Sequence, residues 1–242
     1  MAKGIDTTDL MVYGHEAWIV TNKNEYEEGE TVKAVLRWGH NTRPDGFCRA
    51  DEFDIFYLSE DGEKTQLIPT KGEGDFYNIV FAAPKTGVYN LMAIYDNTYG
   101  HDDNDNWYEG VRRNLPLSKT VTNYFQVYST AFSVGTSTGC LPFYDDSRVS
   151  FVLKKWDAEA DILHVYLCRD GKPEALVSVT LVYFDGNDYQ EKMLLTDKEG
   201  EVFFLVNLKG NYCLIYRTGL DESIEGEYEE RAVTATFNFV KN

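Results

Sequence analysis

Short apolar runs, alternating or continuous, recur along the whole chain between turn-forming residues. In the first half they fall at His15–Val20, Thr31–Gly39, Phe53–Leu58, Lys64–Ile68, Phe76–Ala82, Val88–Tyr95 and Val121–Tyr128. A period of two marks a half-buried strand, and runs this short suit strands better than buried helices. Glu28-Gly29-Glu30, Glu60-Asp61-Gly62, Lys71-Gly72-Glu73-Gly74 and Pro84-Lys85-Thr86-Gly87 separate them, with glycines where backbone φ must turn positive. The runs amount to the strands of one antiparallel sandwich.

Ser129–Phe143 is rich in Ser, Thr and Gly and reads as a connector. The strand pattern resumes at Val149–Leu153, Ile162–Cys168, Val177–Phe184, Lys192–Leu195, Val202–Val206, Tyr212–Tyr216 and Ala232–Val240. The expected fold is therefore all-β, with two tandem immunoglobulin-like antiparallel β-sandwich domains. Residues 1–14 read as a tag or leader remnant, 15–130 as the first sandwich and 131–242 as the second. Each half also carries a Gly-x-Tyr opening a late strand, at Gly87-Val88-Tyr89 and Gly210-Asn211-Tyr212. This is the pattern of a tyrosine corner, in which the phenol ties down the chain a few residues upstream.

Composition narrows the function. A formal net charge of -17 repels nucleic acid and anionic lipid and concentrates cations, so no nucleic-acid partner is expected. No apolar run approaches the roughly 20 residues of a membrane helix, so the chain is not expected to span a membrane. The four cysteines, Cys48, Cys140, Cys168 and Cys213, form no C-x-x-C pair, which argues against a zinc knuckle or a thioredoxin-type redox site. Nucleophile elbows, phosphate loops and dinucleotide fingerprints are absent from the sequence, and the expectation is a non-enzyme. Leu10-Met11-Val12-Tyr13-Gly14 has small-residue spacing compatible with cleavage ahead of His15. Export is expected on that ground.

Three of the four histidines, His15, His40 and His101, lie in the first half. Counting strand reversals from His15 returns His40 to the same end of the sandwich, and places the loop Asp96–Tyr108 with His101 there too. Along the second strand Val32, Ala34, Leu36, Trp38 and His40 share one parity, so His40 points to the core side above Trp38. Imidazoles drawn from separate segments suit Zn, Ni, Co or Cu, and Asp102, Asp103 and Asp105 supply nearby carboxylates. The expected metal ligands are His15, His40, His101, Asp102 and Asp103. His164, inside a second-half strand, reads as structural. A second reading of the same rim is an adhesive or carbohydrate-binding surface formed by Trp107, Tyr99 and Tyr108, with the acidic loop binding calcium.

The segments His15-Glu16-Ala17-Trp18-Ile19-Val20, Tyr26-Glu27-Glu28-Gly29-Glu30-Thr31-Val32 and Trp38-Gly39-His40 with Asp45-Gly46 resemble a family of exported proteins of formally unknown function. That family is described as a periplasmic component of cobalt or nickel uptake. Asp170-Gly171-Lys172-Pro173, Thr196-Asp197-Lys198-Glu199-Gly200 and Gly210-x-Tyr212 extend the likeness into the second half. The resemblance implies a periplasmic accessory that binds nickel or cobalt and passes it to a membrane metal transporter. His15 and His40 match its pattern. Cleavage ahead of His15 would free an α-amine to chelate beside the imidazole.

Overall fold

The computed structural model describes residues 15–46, 49–136, 148–157 and 160–241. In the first half the main strands are β1 (Glu16–Thr21), β2 (Thr31–His40), β3 (Phe53–Ser59), β4 (Phe76–Ala82), β5 (Gly87–His101) and β6 (Thr120–Val134). In the second they are β7 (Val149–Asp157), β8 (Ile162–Arg169), β9 (Ser178–Phe184), β10 (Tyr189–Leu195), β11 (Glu201–Leu205), β12 (Gly210–Leu220) and β13 (Glu230–Lys241). Every apolar run singled out in the sequence contains a strand. The helical pieces among the described residues are two 3-10 turns, Ala50–Glu52 and Arg112–Asn114. No helix there is long and apolar enough to cross a membrane.

Each half is a sandwich. In the first, β1, β2 and β4 form one sheet and face β3, β5 and β6. The alternating inner positions Ala17, Ile19, Val32, Ala34, Leu36 and Trp38 meet Ile55, Leu91, Ala93, Tyr95, Tyr128 and Phe132 in one buried cluster. In the second, β7, β8 and β11 face β9, β10, β12 and β13, around Phe151, Leu163, Val165, Leu181, Leu214 and Phe237. Both tyrosine corners close as expected. Tyr89 Oη donates to the Lys85 carbonyl at 2.8 Å and Tyr212 Oη to the Leu208 carbonyl at 3.0 Å.

The halves are not joined merely by a connector. Strand β6 pairs in parallel with β13, from Thr122 opposite Glu230 to Thr130 opposite Asn238, and so fuses one sheet of each sandwich into a single ten-stranded sheet. Ser129–Val134, expected to begin the connector, is the end of β6, and the boundary at 130/131 cuts through that strand. The polar letters there mislead because the strand is buried in the seam: Ser129 and Thr130 are both fully buried, and Ser129 Oγ donates to the Thr236 carbonyl at 3.0 Å. The rest of the expected connector, residues 137–147, lies outside the described residues.

Strand β1 is buried on both faces. Its inner residues face the first core, while Trp18 on the outer face packs against Val182, Cys213 and Ile215 of the second half. Burying a side chain of this size is worth about 2–3 kcal/mol. Two side chains of β13 also reach β1: Thr236 Oγ1 donates to the Ala17 carbonyl at 3.2 Å, and Asn238 Nδ2 to that of Ile19 at 2.9 Å.

Candidate metal centre

The antiparallel register of β1 and β2 runs from Glu16 opposite Gly39 to Thr21 opposite Ala34. Continued by one residue, it sets His15 opposite His40 at the rim of the first sandwich. Their ring centroids are 3.9 Å apart, and His15 also stacks on Trp38 at 4.9 Å. The core-facing parity read from the sequence is thus realised at Trp38, which is buried, and carried to both histidines.

Beyond His40 the chain turns at once. Gly39 pairs with Pro44 and His40 with Arg43, leaving Asn41 and Thr42 as a two-residue loop with φ of +47° and +63°. Both central residues at positive φ define a type I′ hairpin turn. Gly39 itself sits at φ +151°, and a Cβ there would lie 2.0 Å from the Arg43 carbonyl oxygen and 2.9 Å from Asp45 Oδ1. Only glycine lets the returning strand come this close, and the close return carries Asp45 back to the histidines.

Asp45 bridges the pair. Its Oδ2 bonds His40 Nδ1, and its Oδ1 lies 3.9 Å from His15 Nε2. One donor atom from each of His15, His40 and Asp45 falls within 4.8 Å of the others. Two donors each about 2.1 Å from a shared ion stand about 3.4 Å apart in a tetrahedral sphere and at most about 4.2 Å apart when trans, so closing on a cation draws the widest pair together by up to about 1.4 Å. Binding would exchange the His40–Asp45 hydrogen bond for two bonds to the ion. Side-chain exposures of 10% for His15, 45% for His40 and 40% for Asp45 give the cluster one closed wall and one open side.

Behind the cluster sits Glu16, fully buried on the outer face of β1. Its Oε1 accepts the Asn41 N–H at 2.6 Å and its Oε2 pairs with the Arg217 guanidinium, which also donates to Asn41 Oδ1 at 3.2 Å. Burial pushes the Glu16 carboxyl up from its ordinary value, against the opposing pull of Arg217 and the Asn41 N–H.

The other expected ligands stand apart from this group. Residues 96–101, expected in a loop, continue β5 because Tyr95 and Tyr99 both face the core, and the chain then returns through Trp107–Glu109. His101 ends β5 and stacks on Trp107 at 5.1 Å. Asp102 Oδ1 accepts the Asn104 N–H at 2.8 Å and the Asn106 N–H at 3.0 Å, while Tyr108 Oη donates to its Oδ2 at 3.2 Å. Those bonds, the Asn106 side-chain amide foremost, hold its carboxyl below the usual range and fold the turn. Asp103 is exposed beside it. Among the described residues, His101, Asp102 and Asp103 join no group of three metal-ligating donors.

Trp107, expected as an exposed contact, is 2% exposed, as is Tyr99. His164 stacks on Phe203 at 4.0 Å and lies 3.0 Å from a Glu201 oxygen. Cys168 and Cys213 are buried free thiols, and burial pushes both upward in pKa. Cys48 and Cys140 lie outside the described residues. Asp45 carries no ligand signal of its own in the sequence beyond its distance, a carboxylate five residues past a strand-end histidine being within reach of a tight hairpin.

These features define an all-β protein of two fused sandwiches with, among the described residues, one His/His/Asp cluster at a sandwich rim. The chain belongs to the DUF4198 family, a domain of unknown function, whose model matches residues 12–218. No curated protein matches it. Among solved structures it is similar to a DUF4785 family protein of Legionella pneumophila, at 13% identity over 84% of this chain and 52% of that one, with a TM-score of 0.33. Salmonella alpha-2-macroglobulin reacted with methylamine is similar at 17% identity over 98% of this chain and 16% of that one, with a TM-score of 0.31. A two-domain fibronectin type-III segment of chicken tenascin is similar at 13% identity over 89% and 95%, with a TM-score of 0.24. The chain thus spans about half of the Legionella protein and about a sixth of the macroglobulin.

Proposed function

We propose that this is a non-enzymatic, exported accessory protein that binds a transition-metal ion through His15, His40 and Asp45 and passes it to a membrane transporter. The observation that carries the reading is the placement of those three donors within 4.8 Å of one another, His15 from the start of one strand and His40 and Asp45 from the hairpin that ends its neighbour. Two imidazoles and a carboxylate suit borderline first-row ions and leave positions for water or for a receiving ligand. The open side at His40 and Asp45 suits transfer, since a buried cage would hold its ion too slowly for a carrier. A net charge of -17 raises the local concentration of any cation. Nickel or cobalt is favoured by the resemblance set out above. Copper and zinc compete by affinity order, and a chain cleaved ahead of His15 would add its α-amine as a further donor.

Calorimetric titration with Ni(II), Co(II), Zn(II) and Cu(II), beside a His40→Ala variant, tests the proposal. Saturable binding of one ion per chain is expected, accompanied by proton release because the imidazoles must be neutral to ligate. Loss of a ligand is expected to weaken binding by more than the about 10–100-fold typical of supporting residues. Binding that is absent, or indifferent to His40, would remove the metal reading.

A further inference from the structure

The three donors belong to the first half, yet the two segments that carry them are fastened from the second. On one side, Arg217 of β12 reaches across to Glu16 Oε2 and to Asn41 Oδ1, and Glu16 Oε1 holds the Asn41 N–H. Asn41 is the first residue of the turn directly after His40, and Glu16 directly follows His15. On the other side, Arg43 Nη1 donates to Glu191 Oε1 at 2.9 Å, with its guanidinium 5.3 Å from the Tyr189 ring centroid. Thr236 and Asn238 hold carbonyls of β1 itself.

We infer that the second half is a clamp that presets the metal centre, with Arg217 as its principal positioning residue acting through Glu16 and Asn41. This rests on reading His15, His40 and Asp45 as ligands. The turn that carries His40 holds Thr42 at a φ of +63°, and a β-branched residue keeps that conformation only where its surroundings enforce it, whereas Asn41 beside it takes positive φ readily. The Glu16–Asn41–Arg217 triangle supplies that enforcement. Without it the Asn41 N–H loses its acceptor and the turn is free to relax, which moves His40 relative to His15. A metal site tolerates displacements of only about 0.2 Å in its ligand distances. Arginine suits the role because one nitrogen, Arg217 Nη2, makes both bonds with N–H groups fixed in the guanidinium plane, whereas the N–H groups of an ammonium rotate freely.

The test uses the full chain, Ni(II) in calorimetry and Co(II) as a visible-absorption probe of ligand geometry. Three variants are compared with wild type: Arg217→Lys, Arg217→Met, and the double replacement Glu16→Met with Arg217→Met. The double variant guards against loss of folding, because it removes a buried charge together with its partner. Arg217→Met and the double variant are expected to bind Ni(II) about 10–100-fold more weakly than wild type, with altered Co(II) bands, and Arg217→Lys to fall between them and wild type. A folded double variant that binds Ni(II) like wild type, with an unchanged Co(II) spectrum, would overturn the clamp while leaving the metal centre standing. Wild-type protein that binds no ion would overturn the centre and the clamp together.

Discussion

At Gly39 the backbone takes a φ of +151°, with the Arg43 carbonyl where a side chain would begin. The motif Trp38-Gly39-His40 was visible in the sequence, but the reason for its glycine was not, since it lies in the chain that returns after the turn. Gly39→Ala is expected to destabilise the protein by about 1–3 kcal/mol, the usual size of enforced backbone strain, and to disturb metal binding at the same time. Denaturant unfolding beside titration reads both effects, and an alanine variant of wild-type stability would contradict the close approach. His15 and His40 could be paired from parity and strand direction. Asp45 could not, because Asn41-Thr42 lacks the glycine that signals a two-residue hairpin. His101 was carried to the rim by strand counting, but ring stacking on Trp107 was beyond the reach of sequence pattern.

Among the elements, the tyrosine corners were the most legible, because a Gly-x-Tyr opening a strand has a local geometric meaning, and both phenols bond the carbonyl four residues back. The full lengths of β5 and β6 were hidden, since their ends carry polar residues whose partners lie in other strands. The start of β13 is held to the first half by one such group. The Glu229 carboxylate pairs with the Arg112 guanidinium and accepts the Val121 N–H at 2.8 Å. These bonds, that of Arg112 foremost, hold its carboxyl below the ordinary value. A carboxyl lowered in the folded state contributes stability above its unfolded pKa and loses that contribution as pH falls through the folded one. Glu229→Gln should therefore melt below wild type at neutral pH, and the difference should close as pH drops below about 4.3. A difference that persists unchanged into acid would contradict the assignment.

For the whole molecule, the two sandwiches were readable, but their fusion was not: a parallel ladder between β6 and β13 leaves no local pattern, and its last residues, Ser129 and Thr130, look like linker. The fusion makes the halves one folding unit. Between them lie a continuous sheet, the Trp18 contact and the Glu16–Arg217 pair, so calorimetry should show a single cooperative transition whose calorimetric and van't Hoff enthalpies agree. Two resolved transitions would contradict the coupling on which the clamp depends. That coupling also implies that an ion bound at the rim stabilises the entire chain, by mass action on the folded state.

The central claim is that His15, His40 and Asp45 hold one ion. Its most direct test is anomalous diffraction at the nickel edge from crystals of the nickel-loaded protein. The expected result is one peak at about 2.1 Å from an imidazole nitrogen of each histidine and from an Asp45 carboxylate oxygen. A peak at the Asp102–Asn106 turn instead, or none at the rim, would contradict it.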